Sequence, residues 1–80
     1  MLVKIVGKKY GTFADERGVD RPYAKLYCLC PPPEDDGSVY DGYYPDTFGI
    51  NPSKYDDIPV DCDADLSVNS SGKVVGIKLV

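Results

Sequence analysis

Eighty residues carry nine lysines and arginines against thirteen aspartates and glutamates and no histidine, for a net charge of −4. A chain of this length makes one domain over residues 1–80, and its core is small, because so short a chain buries only about 60% of its unfolded surface. The missing histidines remove the commonest general base and the commonest metal ligand, and no run of about 18 apolar residues is present to cross a membrane as a helix. Residues 2–6, interrupted by Lys4, are too short for the apolar stretch of a secretory signal. Three cysteines are an odd number that one chain cannot pair fully, which fits a reducing compartment. The chain is therefore expected in the cytoplasm and off the membrane.

Helical spacing is nearly absent, and seven prolines and eight glycines punctuate the chain. A first strand is expected over residues 2–13, rich in Val and Ile, with Gly7 and Gly11 available for a bend or bulge. A polar turn, residues 14–21, leads to a second strand over 22–29. Pro31-Pro32-Pro33 ends that strand, since proline cannot donate to a ladder. Residues 34–37 form an acidic loop, and 38–44 a short third strand. Residues 46–55 read as irregular, with a turn of helix near Asn51-Pro52-Ser53 that Asn51 caps. Residues 58–68 alternate most cleanly: Ile58, Val60, Cys62, Ala64, Leu66 and Val68 on one side, Pro59, Asp61, Asp63, Asp65 and Ser67 on the other. Asn69-Ser70-Ser71-Gly72 is a hairpin signal. It leads to a last strand over 73–80 with Val75, Ile77 and Leu79 inward. Five short strands with little or no helix fit a small OB-like Greek-key barrel, and an SH3-like barrel nearly as well.

Charge is distributed unevenly along this plan. The first thirty residues hold six basic and three acidic side chains, +3; the last fifty hold three basic and ten acidic, −7. An overall acidic chain is not a typical nucleic-acid binder. At physiological salt, however, charges act over only about 8 Å, so a local basic face can work while the acids sit elsewhere. On the second strand Tyr23, Lys25, Tyr27 and Leu29 share one face, while Ala24, Leu26, Cys28 and Cys30 form the core side. On the first strand, strict alternation puts Lys4, Val6, Lys8 and Tyr10 together. Outward tyrosines beside lysines suit unpaired bases, with stacking worth about 1–3 kcal/mol per base, and lysines and arginines meet phosphates. The plainer reading is cross-strand packing with lysines guarding sheet edges.

Other constellations are weaker. Asp61, Asp63 and Asp65 are two apart but lack the glycine and distal glutamate of an EF-hand loop, and on a strand they form one solvated face. Cys28, Cys30 and Cys62 have a poor zinc spacing and no fourth ligand, so they read as small buried hydrophobes. No cofactor motif is present, and no serine or cysteine has a histidine base, so an enzyme is not expected. Two rivals to nucleic-acid binding remain. One is a protein-interaction module built on Tyr40, Tyr43, Tyr44, Phe48 and Tyr55. The other is an acidic mimic of DNA that occupies a DNA-binding partner.

The order of these segments carries a resemblance. It runs from a strand with glycine and lysine through a polar loop to Tyr23-Ala24-Lys25-Leu26-Tyr27-Cys28. It continues with Gly42-Tyr43-Tyr44 and Thr47-Phe48-Gly49-Ile50, and closes with Ile58-Pro59-Val60-Asp61-Cys62-Asp63-Ala64-Asp65 and Gly72-Lys73-Val74-Val75-Gly76-Ile77. This pattern resembles the small OB-fold single-stranded DNA-binding proteins of filamentous phages, the gene V protein type, and their relatives on Firmicute phages and conjugative elements. The resemblance implies a β-barrel homodimer that coats single-stranded DNA without strong sequence preference, needs no cofactor, and works with replication or conjugation proteins. Its binding residues are aromatic and basic side chains of the early strands and hairpin tips. The positions here that match in type and place are Lys8, Lys9, Tyr10, Arg17, Arg21, Tyr23, Lys25 and Tyr27.

Overall fold

A computed structural model describes residues 1–32, 37, 39 and 41–80. Five strands run through it: β1 (Leu2–Ala14), β2 (Asp20–Cys30), β3 (Tyr44–Ile50), β4 (Cys62–Val68) and β5 (Val74–Leu79). A six-residue 3₁₀ helix, Pro52–Asp57, lies between β3 and β4. The strands form one antiparallel sheet in the order β3-β2-β1-β4-β5. The fourth strand thus returns to lie beside the first, which is a Greek key. The all-β, five-stranded expectation holds. The sheet is not closed, however. Among the described residues its edges are joined at one parallel bridge between Gly49 and Lys73, where the Gly49 N–H donates to the Gly72 carbonyl over 3.1 Å.

Alternation on β2 sets the core. Ala24, Leu26, Cys28 and Cys30 are buried, while Lys25 and Tyr27 are exposed and Tyr23 and Leu29 half-buried. From β1 come Val3 and Ile5, and from β4 Ala64 and Leu66; Ile5, Leu26 and Ala64 are completely enclosed. Full burial of an Ile or Leu side chain stabilises by about 1.5–3 kcal/mol, so these few contacts carry much of so small a domain.

The structure moves several expected boundaries. The third strand is Tyr44–Ile50 rather than 38–44, and it pairs with β2 from Tyr44 opposite Cys30 to Ile50 opposite Ala24. Its outer edge is unpaired by named strands, where a proline such as Pro45 is tolerated. Pro33, Glu34, Asp35, Asp36, Ser38 and Tyr40 lie outside the described residues, and with them most of the acidic loop and part of the expected strand. Asn51 caps the 3₁₀ helix as its sequence implied, its side-chain oxygen accepting from the Ser53 N–H at 3.1 Å. β4 begins at Cys62, not residue 58. Pro59 has no N–H to donate, and Asp61 turns into the left-handed region at φ 58°, where Asp is among the few residues that go readily. Ile58 still reaches the core.

On β5, Val74 rather than Val75 is buried. The register slips between Ser67 and Val68, so Val74 faces Val68 and Val75 is left as the extra residue, 66% exposed. Ile77 and Leu79 do stand opposite the buried Leu66 and Ala64. They stay open to solvent because the sheet does not close over them. With Ile50, Ile58 and Pro59 they line the apolar part of an open groove of about 630 Å³, which Lys54, Asp57 and Lys73 also border. Among the described residues no helix is long and apolar enough to cross a membrane.

Candidate nucleic-acid interface

Beyond the core, β1 and β2 continue as a ribbon. β4 pairs with β1 only from Leu2 to Ile5, and β3 pairs with β2 only from Ala24 onward. The pairs from Gly11 opposite Tyr23 to Ala14 opposite Asp20 therefore have no third strand. The ribbon's tip is tied by one side chain. Asp15 Oδ1 accepts from the Arg17 N–H at 2.8 Å and the Val19 N–H at 3.0 Å, and Oδ2 accepts from Arg21 Nε at 2.7 Å. Gly18 supplies the left-handed residue at φ 75°. Arg21, above all, and the backbone N–H of Val19 hold the Asp15 carboxyl below its usual pKa.

Register decides which side chains share a face. Lys9 stands opposite Lys25, Gly11 opposite Tyr23, Phe13 opposite Arg21, and Gly7 opposite Tyr27. Directly opposed residues in an antiparallel pair project to the same side, so Lys9, Phe13, Arg21, Tyr23, Lys25 and Tyr27 form one outer face. The row Tyr23, Lys25, Tyr27 is as its sequence implied. Strict alternation on β1 is not kept. The bulge after Ile5 consumes Val6, so Lys4 lies on the outer face while Lys8, opposite the buried Leu26, lies on the other. There Lys8 Nζ donates to the Tyr55 carbonyl at 2.8 Å and sits 4.2 Å from the centre of the Tyr55 ring. Tyr10 packs edge-on against the same ring at 5.4 Å. Of the eight expected contact residues, then, Lys9, Arg21, Tyr23, Lys25 and Tyr27 share the outer face. Arg17 is at the exposed tip, and Lys8 and Tyr10 are on the opposite face, fastening the 3₁₀ helix to β1. Lys4 stands opposite Asp63 of β4 in the register.

The two tyrosines lie over glycines. A Cβ built on Gly11 would come within 2.8 Å of the Tyr23 ring and hydroxyl, and one on Gly7 within 3.5 Å of the Tyr27 ring. Each ring is laid down on β1 backbone that bears no side chain. Lys9 and Lys25 hold their ammonium groups over the Tyr23 ring, 5.7 and 5.9 Å from its centre, and Phe13 flanks it at 6.2 Å. Contact with Tyr23, chiefly a hydrogen bond to its side chain, raises the Lys9 pKa above the ordinary lysine value. Phe13 escaped the sequence reading although it is 50% exposed. Counting alternation from the bulge rather than from Leu2 would have found it. Lys73, carried by the β4–β5 tip, also borders this region: with Pro22, Tyr23, Lys25, Gly49 and Gly72 it lines a shallow depression of about 330 Å³. No local signal in the sequence links it to β2.

Elsewhere among the described residues no group of three or more acidic or cysteine side chains is placed to hold a metal ion. Asp63 and Asp65 face outward on β4, and Asp65 is lowered in pKa by the terminal amine of Met1, 2.6 Å away. The three cysteines are free, and burial pushes the Cys28 thiol up to about 11, far from a reactive thiolate. Among the described residues the tyrosine-rich middle is divided, with Tyr44 exposed at the start of β3. Phe48 is in the core, Tyr55 is engaged by Lys8 and Tyr10, Tyr43 is exposed in the loop before β3, and Tyr40 is outside the described residues. Comparison with protein-family models, curated proteins and solved structures gave no match.

Proposed function

We propose that this protein binds single-stranded DNA, non-catalytically and largely without sequence preference, through the outer face of the β1–β2 ribbon. The observation that carries the reading is the Tyr23 ring, seated on Gly11 with two lysine ammonium groups over it. An exposed cation–π contact is worth about 0.5–1 kcal/mol, whereas a base stacked on an aromatic ring is worth about 1–3 kcal/mol. An arriving base therefore displaces the lysines from the ring. Lys9 and Lys25 then swing to the rim, where the phosphates on either side of that base lie. A base inside a duplex is already stacked and cannot make this exchange, which selects single strands. Tyr27 offers a second ring, and Phe13 extends the aromatic surface toward the tip. Arg17 and Arg21 add charge there, Arg21 being partly offset by Asp15.

The same proposal includes kinship with the gene V-type OB-fold binders. It takes the protein to be a cytoplasmic homodimer serving replication or transfer of a phage or mobile element, alongside replication or conjugation proteins. One observation favours a second reading, a protein-interaction module: the partly apolar groove beside β5 that the open sheet leaves uncovered.

The test is tyrosine fluorescence during titration with an unstructured single-stranded oligonucleotide at several salt concentrations. Stacked rings should be quenched. Three or four phosphate contacts should give a log–log salt slope of about −2 to −3, at about 0.7 per contact. Replacing Lys25 and Tyr27 together by Ala should weaken binding without unfolding the sheet. A folded parent that shows neither quenching nor salt-dependent binding overturns the reading.

A further inference from the structure

We infer that the depression between β2 and the β4–β5 tip is a phosphodiester-binding subsite, in which Lys25 and Lys73 hold one backbone phosphate of a single strand whose neighbouring base lies on Tyr23. The inference rests on the single-strand-binding reading and adds a residue from the far end of the chain to it.

Its basis is the lining. In a chain with thirteen carboxylates, the described residues that border this hollow of about 330 Å³ include two lysines and no acid. The larger groove, by contrast, mixes Lys54 and Lys73 with Asp57 among apolar side chains. Among the described residues neither Lys25 nor Lys73 has a carboxylate within ion-pair distance. The hollow exists because Gly49 N–H binds the Gly72 carbonyl and so draws the hairpin tip against β3. Both residues are glycines, and a Cβ on either would meet nothing within 4 Å. Gly72 is also the residue its left-handed φ of 81° calls for. The position of Lys73 is fixed rather than incidental: Asn69 Oδ1 accepts from its backbone N–H at 3.0 Å. Tyr23 is common to this hollow and to the ribbon face, so a strand stacked on Tyr23 and continuing toward β3 runs past Lys25 and Lys73, which both border the hollow.

The ligand chemistry is a phosphate, which a free ion or a strand can supply. Inorganic phosphate, thymidine monophosphate and an oligothymidylate distinguish these sources. The oligonucleotide is expected to bind, and millimolar inorganic phosphate or the monophosphate to compete no better than an equal ionic strength of chloride. Specific competition by inorganic phosphate alone would make the site one for free anions and overturn the assignment to a strand. Lys73→Ala and Lys73→Gln are then compared with Lys54→Ala, each checked by circular dichroism for an unchanged fold. Either Lys73 variant should lose about one phosphate contact, making the salt slope shallower by about 0.7 and lowering affinity several-fold at low salt, while Lys54→Ala changes neither. If the parent binds the oligonucleotide and the Lys73 variants match it, or if Lys54→Ala does equal damage, the subsite is wrong and the ribbon face stands alone. If the parent does not bind at all, the single-strand reading itself has failed.

Discussion

The tips of the β1–β2 and β4–β5 hairpins are closed by the same hydrogen bonds. At the first, Asp15 Oδ1 accepts from the N–H groups of residues 17 and 19; at the second, Asn69 Oδ1 accepts from those of residues 71 and 73. In both, a glycine three residues on takes the left-handed conformation and donates back to the first residue's carbonyl, Gly18 to Asp15 and Gly72 to Asn69. Asparagine therefore suffices for this turn. The carboxylate at position 15 is not required by the geometry, and what it adds is the ion pair with Arg21. The surroundings differ as well. The first tip ends a free two-stranded ribbon, while the second is bonded to β3 and leads directly into the buried Val74. One device thus serves a projecting, charged arm and a seam that holds the sheet's edges together.

Removing each anchor should separate these roles. Asn69→Ala loses two backbone hydrogen bonds and the Ser71 hydroxyl contact at the seam. At about 1 kcal/mol net per bond, it should cost about 1–3 kcal/mol. In a domain this small each kcal/mol shifts the midpoint by about 4–8 °C. Asp15→Ala loses as many bonds but only frees the ribbon. It should leave the thermal midpoint nearly unchanged while hydrogen exchange quickens at Arg17 and Val19. Equal midpoint losses in the two variants would show that the ribbon is part of the cooperative core.

The second tip was legible in the sequence as the hairpin signal Asn69-Ser70-Ser71-Gly72, and the first only as a polar turn, although the same Asx-to-glycine spacing, Asp15 to Gly18, acts locally there too. The β2 face, with Tyr23, Lys25 and Tyr27 outward, was legible for the same reason, as was the Asn51 cap. What escaped depends on partners distant in the chain. The bulge at Val6 is settled by pairing with β2, and it sends Lys8 and Tyr10 to the other face while revealing Phe13. β3 was misplaced because Pro45 and Gly49 break its β pattern, and only pairing with β2 makes it a strand. Lys73 reaches the ribbon face through one bridge to Gly49, 24 residues earlier, which no spacing rule encodes.

Exchanging the anchors sharpens the contrast without breaking either turn. Asp15→Asn keeps both turn hydrogen bonds and frees Arg21. Oligonucleotide affinity at low salt should rise several-fold, with a salt slope steeper by about 0.7. The reciprocal Asn69→Asp sets a carboxylate beside Lys73 and should lower affinity by a similar factor. Titrations of the two variants against the parent decide it. If Asp15→Asn fails to strengthen binding, Arg21 makes no phosphate contact.

Acid should loosen one tip and not the other. Asp15 has its pKa lowered in the folded chain, chiefly by Arg21, so its contribution is fully present above the unfolded carboxylate value of about 4 and is lost as pH falls through the lower folded value. Asn69 does not titrate. The amide resonance of Val19 should therefore shift as pH drops below about 4, while that of Lys73 holds its position over the same range. Asp65, lowered by the terminal amine, titrates on β4 away from both tips and serves as an internal reference.

The smallest expected effect tests the seat of the stacking ring. Gly11→Ala puts a Cβ where the far end of the Tyr23 ring now lies, 2.8 Å away, whereas Gly7→Ala meets the Tyr27 ring at an ordinary 3.5 Å. Neither glycine has a positive φ, so the backbone accepts alanine at both sites, and alanine suits a strand slightly better than glycine. Stability should therefore change little in either variant. In Gly11→Ala the ring has to lift, its contacts with Lys9 and Lys25 loosen, and oligonucleotide quenching should weaken by about two- to threefold, which corresponds to under 1 kcal/mol of a stacking contribution of about 1–3 kcal/mol. Gly7→Ala should bind as the parent does. Should the two alanines have the same effect, the flat seat of Tyr23 on Gly11 is not what prepares the ring for a base, and the exposed lysines alone would account for the affinity of the ribbon.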